Sequence, residues 1–235
     1  SPRIQSWNVT VEQQLGSSWG MSVAYLGSHS DRLWAQKALN PGVFMGLGPC
    51  TLNGVSYPVC STTANLNQRR ALNRVNPTQA AFIGSLDENT AVGYQNYKGI
   101  KVSAVRRAGN GISLNGNYTV SVCKGTPTAL TFNQASAGYL KPNDPSFDAG
   151  YCDQDRRHLG TMTAGYETPE VDSRALRVLV SHWRLSGIFS ARSGDRLNVA
   201  AGRDNALTGI GVNGTNMQRP NQVSDDFYKK TLTSW

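Results

Sequence analysis

Period-two alternation of apolar and polar residues, held over stretches of about ten residues, constrains this chain more than any other feature. Ile112, Leu114, Gly116, Tyr118, Val120 and Val122 share one parity, and Ser113, Asn115, Asn117, Thr119 and Ser121 take the other. Successive side chains of a strand point to opposite faces, so this is a strand with one apolar and one polar side. Just before it, Ile100, Val102 and Ala104 alternate with Lys101, Ser103 and Val105, and Gly109-Asn110-Gly111 supplies the turn. A similar hairpin opens the chain: Trp7, Val9 and Val11 lead to Gly16-Ser17-Ser18, and Trp19, Met21, Val23 and Tyr25 follow. A third is expected from Met162, Ala164 and Tyr166, ended by Glu167-Thr168-Pro169-Glu170. Trp183, Leu185, Gly187, Phe189 and Ala191 form its second strand, after an ambiguous apolar run at 176–180.

A soluble sheet packed on a core also alternates. The length of the alternation and the small, uncharged polar face favour a barrel wall beside a wet lumen. Composition agrees: 39% of residues are hydrophobic and only 16% charged, with Gly, Ser, Thr, Asn and Gln filling the remainder. A run of ~18 apolar residues is absent, which excludes a transmembrane helix, but a barrel strand needs only ~10 residues with alternate ones apolar.

Turn and breaker signals fill the segments between hairpins, at about 27–94, 124–155 and 202–221. They include Asn40-Pro41-Gly42, Gly46-Leu47-Gly48-Pro49 and Asn76-Pro77, with a short structured piece expected at 65–72. The order is strand, short turn, strand, long loop, three times over, with short turns on one side. Bacterial outer-membrane barrels sort their loops in this way. The expected fold is an all-β, antiparallel up-and-down transmembrane β-barrel segment: about six strands, three hairpins and long extracellular loops, with residues 1–235 part of one barrel domain. Six strands are fewer than the smallest closed barrel has, and open edges are not tolerated in lipid, so a piece of a longer protein is expected. The start, Ser1-Pro2-Arg3, has no apolar leader and fits a mature chain or an internal piece.

Cys50, Cys60, Cys123 and Cys152 lie in or beside loop segments without metal or redox spacing. Four cysteines allow three pairings. The expected one in an oxidising compartment joins sequence neighbours, Cys50–Cys60 and Cys123–Cys152, each stapling one loop; the alternative is free thiols. Trp7, Trp19, Tyr25, Tyr118, Tyr166 and Trp183 are the expected membrane-interface aromatics, since such rings favour the lipid–water boundary; a buried soluble core is the alternative.

Catalytic constellations do not stand out, and an enzyme is not expected; neither is a metal or cofactor. His158 beside Asp155, Arg156 and Arg157 reads as a charged strand end at the outer rim. Net charge is +8, but the arginines (Arg69-Arg70-Arg74, Arg106-Arg107, Arg156-Arg157, Arg192 and Arg196) are dispersed, which argues against nucleic acid. Arg106-Arg107 abuts a short turn, on the expected periplasmic side. The others fall on the outer side, where lipopolysaccharide phosphates, an anionic substrate or plain solvent would face them.

The stretch from Ile4-Gln5-Ser6-Trp7-Asn8-Val9-Thr10-Val11-Glu12 through Val23-Ala24-Tyr25-Leu26-Gly27-Ser28 resembles the barrel of TonB-dependent outer-membrane receptors. The similarity is to the acidobacterial type with an N-terminal carboxypeptidase-regulatory-like domain. Asp155-Arg156-Arg157-His158, Trp183-Arg184-Leu185-Ser186-Gly187-Ile188 with Ser193-Gly194, Gly202-Arg203-Asp204-Asn205 and Arg219-Pro220-Asn221 resemble it too. The resemblance implies a transporter of roughly 22 strands with a lumenal plug, driven by the TonB system. The plug and the remaining strands are not in this sequence. The partners it implies are outer-membrane lipid and lipopolysaccharide, the rest of the barrel and plug, the TonB system and an unidentified ligand. Two other functions fit the residues: a structural or ligand-binding module of a larger outer-membrane assembly, and a secreted disulfide-stapled β-sandwich.

Overall fold

The alternating segments become long strands in a computed structural model, which describes residues 1–109, 111–126, 138–170, 181–211 and 218–221. The strands are β1 (Arg3–Leu15), β2 (Trp19–Ala38), β3 (Cys50–Leu52), β4 (Val55–Tyr57), β5 (Asp87–Gly109), β6 (Ile112–Gly125), β7 (Gly150–Tyr151), β8 (His158–Glu167) and β9 (Arg184–Arg192). One sheet runs β1-β2-β5-β6-β8-β9, with short β7 beside β6. Each long strand pairs with the next long strand in the chain, which is the expected up-and-down order. Among the described residues β1 and β9 are the edges of this sheet.

Register decides the two faces. Leu15 pairs with Trp19, Val11 with Val23, Val9 with Tyr25 and Trp7 with Gly27. Val102 pairs with Tyr118 and Ile100 with Val120. Gly116 pairs with Met162, and Met162 with Phe189. Directly opposite residues share a face, so these rows form one continuous apolar side. The other side carries Glu12–Ser22, Ser103–Asn117, Asn117–Thr161 and Thr161–Ser190 pairs. The apolar side is exposed: Val11 is 68% and Leu185 75% accessible. A soluble β-sandwich would bury that side against a second sheet. This sheet is built the other way out, and the sandwich alternative falls with it.

Two glycines are required by geometry. Gly27 leaves room for the Trp7 ring, which lies where its Cβ would be. Gly111 has φ of 78° in the turn between β5 and β6, and a Cβ there would collide with the Glu167 carbonyl.

Two expectations are corrected. First, β2 runs on to Ala38 and β5 begins at Asp87, so the intervening loop is shorter than the 27–94 segment expected. Alternation fades where neither face meets a uniform apolar environment, although the hydrogen-bonded ladder continues. Second, the third connection is not a short turn: β8 ends at Glu167 and β9 starts at Arg184. The Thr168 N–H donates to the Trp183 carbonyl at 2.9 Å and closes the ladder there. The ambiguous run at 176–180 lies outside the described residues.

The chain divides into two compact units. The first, Ser1–Ala35, Thr90–Ala129 and Pro145–Arg196, holds the sheet apart from the far ends of β2 and β5. The second, Gln36–Asn89, Leu130–Asp144 and Leu197–Trp235, holds the rest. It contains the β3–β4 hairpin, whose Asn53-Gly54 turn has φ of 53° and 82°, the two positive values of a type I′ turn. A 3-10 turn at Asn67–Arg69 and helices α1 (Ala71–Val75) and α2 (Pro77–Ala80) follow, overlapping the piece expected at 65–72. Asn76 caps α2 by accepting from the Gln79 N–H at 3.1 Å.

Candidate functional site

The polar side of the sheet is where small, uncharged side chains gather. Toward the strand ends away from the short turns it forms a concavity of about 330 Å³. Ser28 and Ser30 of β2, Gln95 and Tyr97 of β5, Ser121 of β6 and Arg156 line it. Gln154 donates to Gln95 across it at 3.2 Å. Ser121 holds its rim through an O–H bond to the Arg156 carbonyl at 3.1 Å and an N–H bond to the Arg157 carbonyl at 3.0 Å. Ile4 and Leu159 add apolar surface, so the concavity offers hydroxyls and amides against an apolar floor. Pockets that bind small polar solutes have this mixed lining.

One of the two expected disulfides fixes the ground around it. Cys123 and Cys152 are bonded, with Cα atoms 5.4 Å apart, and tie the loop after β6 to the end of that strand. Cys50 and Cys60 are bonded with Cα atoms 5.2 Å apart, within the second unit. Lys124–Tyr151 pairing extends the first clamp. Asp155 is buried beneath it: Oδ1 accepts from the Cys123 N–H at 2.7 Å, and Oδ2 from Arg196 Nε at 2.9 Å. Arg196 also stacks on Tyr151 at 4.0 Å, and Lys124 Nζ lies 5.0 Å from the same ring. Arg156 pairs with Asp195. His158 is turned to the other face, where its Nδ1 meets the Tyr118 hydroxyl at 2.6 Å. The Asp155-to-His158 cluster is thus split into ion pairs on one side and a ring contact on the other.

The aromatics fall into two bands on the apolar side. Trp7, Tyr25 and Tyr118 stand toward the ends of the long connections. Trp19 and Tyr166 stand beside the ends bounded by the other connections, where Trp183 continues the parity of Leu185. Tyr25 and Trp19 are six residues apart on β2, about 20 Å along a strand.

The second unit has an organising residue that its sequence does not advertise. Arg69 is 0% exposed. Its guanidinium donates to Asn65 Oδ1 at 3.0 Å, to the Val43 and Leu207 carbonyls at 2.6 and 3.0 Å, and to the Thr62 carbonyl at 2.8 Å. Burial pushes its pKa down, opposed by the charge of Asp204. Neighbouring Arg70 is lowered by burial too and donates to the Asn40 carbonyl at 2.7 Å. The Arg-Arg-x-x-x-Arg spacing carries no mark that distinguishes Arg69 from exposed Arg74; the polar burial appears only in three dimensions.

Among the described residues there is no group of three His, Cys, Asp or Glu side chains that could hold a metal, and no helix long and apolar enough to cross a membrane. Neither statement bears on a β-barrel, which crosses with strands. No curated protein and no solved structure matches the chain. A family model described as "Outer membrane beta barrel domain" matches residues 1–235. A transmembrane barrel needs strands with one apolar and one polar side, and the sheet's two faces supply them. The chain belongs to the outer membrane beta barrel domain family and resides in the bacterial outer membrane.

Proposed function

We propose that this chain forms wall and outer mouth of a TonB-dependent receptor, which takes up a ligand across the outer membrane. The apolar side faces lipid and the polar side faces the lumen, with the two-residue and three-residue turns toward the periplasm. The open edges at β1 and β9 pair with further strands of the same barrel, and a plug occupies its lumen. The polar concavity beside the Cys123–Cys152 clamp carries the reading. The Ser121 hydroxyl and the Gln95 and Gln154 amides are held in place before a ligand arrives, and preorganisation of that kind lowers the cost of binding. Arg156 at its rim is already paired with Asp195, so the lining suits a polar, uncharged ligand. The resemblance of the motifs around Trp7, His158 and Trp183 supplies the energy coupling.

The test is cysteine labelling in intact cells that express the parent protein. Asn117→Cys puts a thiol on the lumenal face, and Val9→Cys puts one on the lipid face as a control. A membrane-impermeant maleimide labels the lumenal position at different rates in energised cells and in cells treated with a protonophore. Deleting the TonB system removes that difference. Equal rates under all three conditions count against plug movement and favour a wall without transport.

A further inference from the structure

Two adjacent arginines at the end of β5 point to opposite sides of the sheet. Arg107 lines a polar-side concavity with Glu12, Gln14 and Ser103. Arg106 pairs with Leu114 and shares the apolar side with it. The Ser18 carbonyl accepts from the Arg107 N–H at 2.9 Å, and His29 Nδ1 meets Asn96 Oδ1 at 2.7 Å. Both contacts fit one antiparallel register of β2 on β5, which sets Trp19 opposite Arg106. Its guanidinium carbon lies 5.8 Å from the centre of a Trp19 ring. Leu15 follows Trp19 in the same row. A cation therefore stands in an otherwise apolar row of the lipid-facing side.

Among the described residues Arg106 forms no ion pair, and its Nε is buried with no hydrogen-bond partner. An unmatched buried donor is unfavourable, and more so on a charged group. Trp19 holds the guanidinium through a cation–π contact and itself favours the membrane interface. The anionic group available at that boundary is a lipid phosphate, and a guanidinium fork suits its oxygens. Arg106 lies at the short-turn end, which faces the periplasm in outer-membrane barrels. There the leaflet is phospholipid, whereas lipopolysaccharide meets the opposite end.

We propose that Arg106, held against Trp19, binds the phosphodiester of one phospholipid in the periplasmic leaflet, locking the first short turn and the end of β5 at membrane depth. This does not depend on the transported ligand or on TonB coupling. It is tested with the full-length protein in detergent by native mass spectrometry, using phosphatidylglycerol as probe and a phosphate-free galactosyl diacylglycerol of the same chains as comparison. Wild type retains phosphatidylglycerol more tightly than the galactolipid. Arg106→Gln weakens that retention roughly 10- to 100-fold, the range of a lost charged hydrogen bond, and Arg107→Gln leaves it unchanged. Equal retention of the two lipids by wild type overturns the proposal without any variant. So does an Arg107→Gln loss as large as that of Arg106→Gln, or preferential retention of lipopolysaccharide that Arg106→Gln abolishes.

Discussion

An arginine placed at Val11 separates the two faces most sharply. Val11 lies opposite Val23 on the apolar side. It is four residues from Trp7 and four from Leu15 on β1, about 14 Å of strand in each direction. With a strand tilt of about 40°, that is roughly 10 Å of depth to either end, which puts Val11 near the middle of the ~25 Å apolar band. Arginine at that depth costs roughly 2–4 kcal/mol. The folded-to-unfolded ratio then drops about 30- to 1000-fold, at about 1.4 kcal/mol per tenfold. The neighbouring Thr10→Arg, on the polar side, costs within about 0.5 kcal/mol, because its charge stays in water. Leu15→Arg, at the band edge, falls between them at ~0–1 kcal/mol. Urea titration of the protein folded into phosphatidylcholine vesicles, followed by tryptophan emission, reads all three. If Thr10→Arg costs as much as Val11→Arg, or if Val11→Arg is silent, the assignment of faces is wrong.

Other outcomes follow from particular contacts. Gly27→Val drives a side chain into the Trp7 ring and is expected to cost about 1–3 kcal/mol; the Trp7 emission, quenched by brominated lipid in wild type, becomes less so as the ring is displaced. Arg69→Met leaves the Val43, Thr62 and Leu207 carbonyls without this donor and takes one of two donors from Asn65 Oδ1. The expected cost is about 3–5 kcal/mol, localised to the second unit. Hydrogen exchange should speed around residues 43, 62 and 207 and stay unchanged at β6. Replacing Cys123 and Cys152 by serine opens a loop of sequence separation 29, worth about 3–4 kcal/mol in the chain-entropy account. Amide exchange at Tyr151 and Asp155 should then rise, while the β1–β2 ladder keeps its protection.

The wall was legible because lipid and water impose a period on it. Where each face meets one solvent, as from Ile112 to Val122, parity alone gives the side. Beyond the band that pressure stops, which is why the distal parts of β2 and β5 look like loop although their ladders continue. The third connection misled for a related reason: Pro169 and the apolar run after it look like a hairpin interruption, and only the Thr168–Trp183 bond shows where the ladder closes. Asn53-Gly54 is a strong hairpin signal by composition, yet Gly, Pro and Cys on both sides mask the short strands it joins. The disulfides were legible from sequence proximity. The concavity was not, because Ser28, Gln95 and Ser121 come from three strands and share no motif. Asp155 illustrates the limit: beside His158 in sequence it resembles acid–base chemistry, while the fold spends both its oxygens on the Cys123 N–H and Arg196.

The central claim is that one side of this sheet meets lipid and the other water. Nitroxide labels placed one at a time from Ser113 to Val120 on β6 test it directly, since the native cysteines are all in disulfides. In vesicles, accessibility to oxygen should peak at Leu114, Gly116, Tyr118 and Val120. Accessibility to a polar nickel chelate should peak at Ser113, Asn115, Asn117 and Thr119, in opposite phase. Profiles without a period of two, or with the phases exchanged, would contradict the account.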